Sequence, residues 1–224
     1  MVTLAAEIRR ILPHTKLSYA ADWSEYGAHY VHATGDVGFP LDALWADSNI
    51  DFVGVDNYLP LSDWRDGNTH LDASSYQDIR QIDYLHSNIE GGEYYDWYYA
   101  NRVDRKNQTR SSITDGQGKP WLFRAKDFKN WWQNQHIQRA SNVETTPTAW
   151  VPKSKPIWFT EIGCPAVDKG TNQPNMFPDI KSSDAGLPYF SNGGRDDDIQ
   201  RSYLKAIMSY WSDAKHNPVS DVFD

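Results

Sequence analysis

The chain has 224 residues, with 22 Lys and Arg against 30 Asp and Glu, and a formal charge of −8. That length suits one large domain or a part of one, and the acidic balance argues against a nucleic-acid partner, whose readers carry a basic face. No run approaches the ~20 apolar residues needed to cross a bilayer, and the start of the chain lacks the charged-then-apolar pattern of a secretory signal. Cys164 is the only cysteine, which excludes an internal disulfide and a multi-cysteine zinc site. The 10 Trp and 13 Tyr outnumber 8 Phe; amphipathic rings suit a wet surface that grips flat, half-apolar ligands as well as they suit a core.

Helical and strand signals alternate, the pattern of a parallel sheet covered by helices. Leu4, Ile8 and Ile11 recur at helical spacing, Pro13 closes that helix, and residues 16–21 read as a strand. After Pro40, Leu41, Leu44 and Trp45 form a short helical stripe before a second strand at 51–55, which ends in Asp56-Asn57-Tyr58. Asp72 or Ser74 caps a predicted helix with the apolar face Tyr76, Ile79, Ile82, Leu85 and Ile89, stopped by Gly91-Gly92. Periodicity fails over 93–120, a long insertion whose aromatics Tyr94, Tyr95, Trp97, Tyr98 and Tyr99 predict an ordered excursion, with a hairpin turn near Asp115-Gly116. Residues 126–136 read as a helix with Trp131 and Trp132 on one side, and 155–160 as a third strand that delivers Glu161. A polar loop then runs to Arg195, where Asp196, Asp197 or Asp198 caps a last helix carrying Ile199, Tyr203, Ile207, Tyr210 and Trp211.

Three predicted strands end in polar groups: Asp22-Trp23-Ser24-Glu25, Asp56-Asn57-Tyr58 and Glu161. In parallel α/β sheets and barrels the site gathers at these carboxyl ends. Period two places Ile157, Phe159 and Glu161 on one face, so a carboxylate continuing an apolar row is expected to be partly desolvated. Desolvation alone raises a carboxyl pKa, whereas a nucleophile must be ionised; donors have to hold the charged form, and Tyr58 is the candidate. The plainer alternative is that Glu161 pairs with an Arg or caps a turn. His29 and His32 would share one helical face, but a third metal ligand is lacking, so a solvated pair is expected, with no metal and no other cofactor. Asn107-Gln-Thr109 fits a glycosylation acceptor and reads as loop sequence. Trp131, Trp132 and the aromatics at 94–99 are either sugar platforms or packing.

Long stretches carry a resemblance: Lys155-Pro-Ile-Trp-Phe-Thr-Glu-Ile-Gly-Cys-Pro165, Tyr19-Ala-Ala-Asp-Trp-Ser-Glu-Tyr26, Asp51-Phe-Val-Gly-Val-Asp-Asn-Tyr58 and Leu61-Ser-Asp-Trp-Arg-Asp-Gly67, with shorter matches at 120–124 and 166–174. Nearly the whole chain resembles the TIM-barrel-like, glycoside-hydrolase-like domain of gene transfer agent and phage tail proteins. The resemblance implies an α/β fold, a (β/α)8 barrel in which these strands are about the fifth to the seventh. A whole barrel takes about 250 residues, so the expectation is one domain, 1–224, or a fragment of one, with an insertion at 93–120. Retaining glycosidases on this barrel imply Glu161 as nucleophile and Tyr58 as its orienting partner, with the acid/base on an earlier strand outside the chain. Asp22, Trp23, Glu25, Asp56, Asn57, Trp64, Trp131 and Trp158 are the implied sugar contacts. The implied partners are a cell-envelope carbohydrate, phage-like tail proteins and a companion chain supplying the remaining strands. The implied location is the cytoplasm until assembly, then the particle tail. A non-catalytic tail-tip or glycan-recognition module is the alternative.

Overall fold

The structure, a computed structural model, describes residues 1–182 and 185–220. In chain order it forms α1 (Val2–Ile11), β1 (Ala20–Asp22), β2 (His29–Val31), β3 (Asp36–Gly38), α2 (Asp42–Trp45) and β4 (Val53–Asn57). Next come α3 (Ile82–Ser87), β5 (Trp97–Tyr98), α4 (Arg102–Asn107) and β6 (Ser111–Ser112). The remainder is α5 (Phe128–Gln133), β7 (Ile137–Ala140), β8 (Val143–Pro147), β9 (Ile157–Ile162) and α6 (Asp197–Ser212). Two compact units result: Met1–Asn57 and Trp121–Glu161 with residues 219 and 220 in the first, Tyr58–Pro120 and Ile162–Pro218 in the second.

The first unit is built on a three-stranded sheet in the order β1-β4-β9. β1 and β4 are parallel, with Ala20 opposite Gly54 and Asp22 opposite Asp56. Val53 N–H donates to the Pro156 carbonyl at 2.9 Å and the Thr160 hydroxyl to Asp56 Oδ1 at 2.7 Å, so β9 runs in the same direction. Strands adjacent in chain order, each reached by a crossover, make the singly wound pattern of a barrel rather than the order reversal of a doubly wound sheet. The sheet is open; its three strands close no ring. Gly54 sits at the centre because a Cβ there would meet the Tyr19 carbonyl at 2.6 Å and Thr160 Cγ2 at 3.2 Å, so only glycine lets the neighbours close in.

One face of this sheet is covered: Ala21, Val53 and Val55 have no exposure, and Phe159 lies against Phe128 of α5 with ring centroids 5.2 Å apart. Around them sits an aromatic core of Tyr26, Phe39, Trp45, Trp131, Trp132 and Trp150. Much of the Trp enrichment is therefore packing, and two of the four indole N–H groups find a carbonyl: Trp45 Nε1 donates to that of Tyr26 and Trp132 Nε1 to that of Lys155, whereas Trp131 Nε1 and Trp150 Nε1 are buried without a partner among the described residues. His136 is wholly buried between the rings of Phe39 and Trp150, its Nδ1 2.8 Å from Asp42 Oδ2 and its Nε2 2.7 Å from the Trp131 carbonyl. A second sheet of the same unit, β2-β3-β7-β8, is antiparallel between neighbours. Nothing in the sequence announced it, because β8 is exposed at four of its five positions and shows no apolar alternation. His29 belongs to β2 and His32 follows it, so the shared helical face does not exist.

In the second unit the helix expected from Asp72 or Ser74 to Ile89 shrinks to a 3-10 turn, Asp72–Ser74, and the six-residue α3. Between them Gln81 Oε1 accepts the Gln77 and Asp78 amides and Asp78 Oδ1 the Arg80 amide, so side chains capture donors that a helix would use. Ile79, Tyr84, Leu85 and Ile89 are buried all the same. The 93–120 excursion is ordered: β5 and β6 pair antiparallel, and α4 between them is capped by Asn101, which accepts from the Val103 and Asp104 amides. The turn at Asp115, closed by Gly118 N–H, follows β6 and joins no paired strands. Asn107 ends α4 rather than lying in a loop. Asp196 caps α6 through the Ile199 amide at 3.0 Å, and Ile199, Tyr203, Ala206 and Ile207 form its buried stripe.

Candidate functional site

Within the first unit, the carboxyl ends of β1, β4 and β9 bring Asp22, Asp56, Asn57 and Glu161 to one end of one sheet. Asp22 is half-buried; its Oδ1 accepts from the Ser24 amide at 2.9 Å and hydroxyl at 2.6 Å, and its carbonyl accepts from the Glu25 and Tyr26 amides, so it shapes the turn that leaves β1. The Trp23 amide donates to the Asp56 carbonyl, tying that turn to β4. Exposed Glu25 accepts from the Tyr19 phenol at 3.3 Å, and its charge holds that phenol above its ordinary pKa. Asn57 is buried at 3 % exposure.

Glu161 follows Thr160 at the end of β9 and is exposed. The expected burial is absent: the covered row ends with half-buried Phe159, and Glu161, next on that face, is exposed. Tyr58 begins the second unit, half-buried, with the ring of Phe177 edge-on at 5.8 Å. The implied aromatic contacts separate by exposure. Trp131 is 2 % exposed and enclosed by Tyr26, His136 and Trp150, so it is a core residue with no ring face for a sugar. Trp64 is half-buried against His70 and Tyr84. Trp158, 43 % exposed, stacks on Phe52 at 4.1 Å with the Lys16 ammonium 4.9 Å from its ring centroid.

The sequence reading missed a charged assembly in the second unit. Asp63, 4 % exposed, accepts from Arg65 Nη1 at 2.5 Å, the Tyr99 phenol at 2.6 Å, Arg110 Nη2 at 2.9 Å and Gln108 Nε2 at 3.1 Å. Burial pushes this carboxyl upward, but Arg65, Tyr99 and Arg110 outweigh it and hold the pKa below its ordinary value. Arg105 is clamped by both oxygens of buried Glu93. Asn172 accepts from the Ser62 hydroxyl and the Trp64 amide and donates to the carbonyls of Trp64 and Tyr189, joining three segments. A run such as Asp63-Trp-Arg-Asp66 is the available signal, but its partners lie about 30 to 50 residues onward, beyond any local pattern. Burial pushes the Cys164 thiol up to about 12, so it holds little thiolate with which to act as a nucleophile at neutral pH.

Among the described residues no group of three His, Cys, Asp or Glu side chains could hold a metal ion, and no helix is long and apolar enough to cross a membrane. A search of curated proteins gave no match. The family model for the GTA (gene transfer agent) TIM-barrel-like domain matches residues 1–224. With its α/β architecture and its chain-order parallel strands, the chain belongs to the GTA TIM-barrel-like domain family.

Proposed function

We propose that this domain serves a phage-like particle as a glycoside-hydrolase-like module of its tail, binding or cleaving cell-envelope glycans by a retaining mechanism when its ring of strands is complete. The supporting observation is the position of Asp22, Asp56, Asn57 and Glu161 at the carboxyl ends of three parallel, chain-ordered strands, where barrel enzymes hold their chemistry. In this reading Glu161 attacks the anomeric carbon, Tyr58 orients it, and a second carboxyl about 5–5.5 Å away protonates the leaving oxygen. The open sheet calls for further strands, from elsewhere in the polypeptide or from a companion chain, which would close its edges and supply that acid. Asp22, Trp23, Glu25, Asp56, Asn57 and Trp158 are the sugar contacts of this reading.

The exposure of Glu161 favours one rival, a tail-tip module that recognises a glycan without turning it over, since a nucleophile works best where water is excluded. A mechanism-based 2-fluoro-glycoside separates the two in the complete barrel. Labelling of Glu161 supports the enzyme; a protein that binds the glycan but takes no label is the recognition module. Glu161→Gln abolishes turnover in the first case and leaves affinity intact in the second.

A further inference from the structure

In the second unit, two consecutive aromatic residues are held in an unusual way. Tyr189 and Phe190 are 38 % and 37 % exposed, yet each ring lies against a guanidinium: Arg105 Cζ is 3.9 Å from the Tyr189 centroid and Arg65 Cζ 3.7 Å from that of Phe190. The two arginines are themselves fixed. Arg65 Nη2 donates to the Arg105 carbonyl at 2.8 Å, Arg105 is clamped by Glu93, and Arg65 by Asp63. Tyr99 lies against Arg105 as well, at 4.6 Å. In extended chain, neighbouring side chains point to opposite faces. Phe190 instead adopts φ +63°, a left-handed conformation sterically costly for a bulky residue, and both rings meet the same arginine pair. Asn172 Nδ2 pins the Tyr189 carbonyl at 2.9 Å.

We propose that Tyr189 and Phe190 form a rigid stacking platform for the apolar face of a pyranose ring, a carbohydrate subsite built from residues of the second unit. The inference rests on the glycan reading above and deepens it. Rings locked in advance lose little freedom on binding, and each of the two aromatic residues leaves over a third of its surface open. Charge selects a neutral sugar over a nucleobase. Glu93 and Asp63 neutralise the guanidinium groups beneath the rings, and the chain's charge of −8 repels a polyanion.

The test is calorimetric titration of the domain with β-1,4-linked tetrasaccharides of N-acetylglucosamine and of glucose. Tyr189→Ala and Phe190→Ala are each expected to weaken binding about tenfold, the scale of one buried aromatic face, whereas Tyr189→Phe and Phe190→Tyr keep the rings and the affinity. Far-ultraviolet circular dichroism on the alanine variants checks that the fold survives. Saccharide binding untouched by the double alanine variant overturns the platform and leaves the glycan reading standing; a parent chain that binds neither tetrasaccharide likewise overturns the platform, while the glycan reading is tested separately in the complete barrel. A change of sedimentation coefficient in the double variant with unmoved sugar affinity would reassign the rings to a protein contact, which also overturns the proposal.

Discussion

Asp63 and Glu161 are acidic side chains with opposite surroundings. Asp63 is buried and accepts from Arg65, Tyr99, Gln108 and Arg110, whereas Glu161 stands exposed at the end of a strand. A charge taken out of water must be paired on every side, so Asp63 is committed to holding the 93–120 excursion against the segment after Tyr58. An exposed strand-end carboxylate carries little of the fold's stability and is open to chemistry. The contrast shows how acid residues divide between scaffold and site by burial.

The largest effect should come from breaking the buried side of that contrast. Asp63→Ala leaves Arg65 and Arg110 facing a lost partner and should destabilise the second unit by about 3–5 kcal/mol, read as a lower urea midpoint and as lost amide protection in β5, α4 and β6. A change under about 1 kcal/mol would make Asp63 no different from a surface acid. The pH dependence follows from the direction of its shift. A carboxyl held below its ordinary value of about 3.9 stabilises fully above that pH and loses this contribution as pH falls through the folded value. Stability should therefore drop on acidification below about pH 4, and Asp63→Asn should flatten that part of the profile.

The tryptophans sharpen the comparison at two levels. Trp131→Ala empties a site enclosed by Tyr26, His136 and Trp150 and should cost about 3–5 kcal/mol. Trp158→Ala removes an exposed ring stacked on Phe52 alone among the aromatics and should cost about 1 kcal/mol. Equal costs in urea unfolding would mean that exposure does not sort these rings into core and surface.

What the sequence made legible follows the same division. The helix-then-strand units at α1 and β1, α2 and β4, and the β9 strand with its glutamate were readable because local apolar spacing and caps agree with the tertiary structure there. The helix expected before Ile89 failed although Ile79, Leu85 and Ile89 of its apolar face are buried, since Gln81 and Asp78 compete for the backbone donors. The β2-β3-β7-β8 sheet stayed hidden because β3 meets β7 across about 100 residues of chain, and non-local pairing leaves no short-range trace. The strand position of Glu161 was legible from local alternation; its exposure was not, because burial depends on what packs over the strand from elsewhere in the chain.

The smallest expected effect is the most informative. If Glu161 belongs to a site rather than to the scaffold, Glu161→Gln at this exposed position should change stability by no more than about 0.5 kcal/mol, as for other surface substitutions. Urea unfolding of the two proteins side by side measures this. A loss above about 1 kcal/mol would place Glu161 with Asp63, as an acid whose partners hold the chain together, and would turn the strand end from a catalytic candidate into a brace. A null result on stability, joined to loss of turnover in the complete barrel, is the pairing that only a residue placed for chemistry produces.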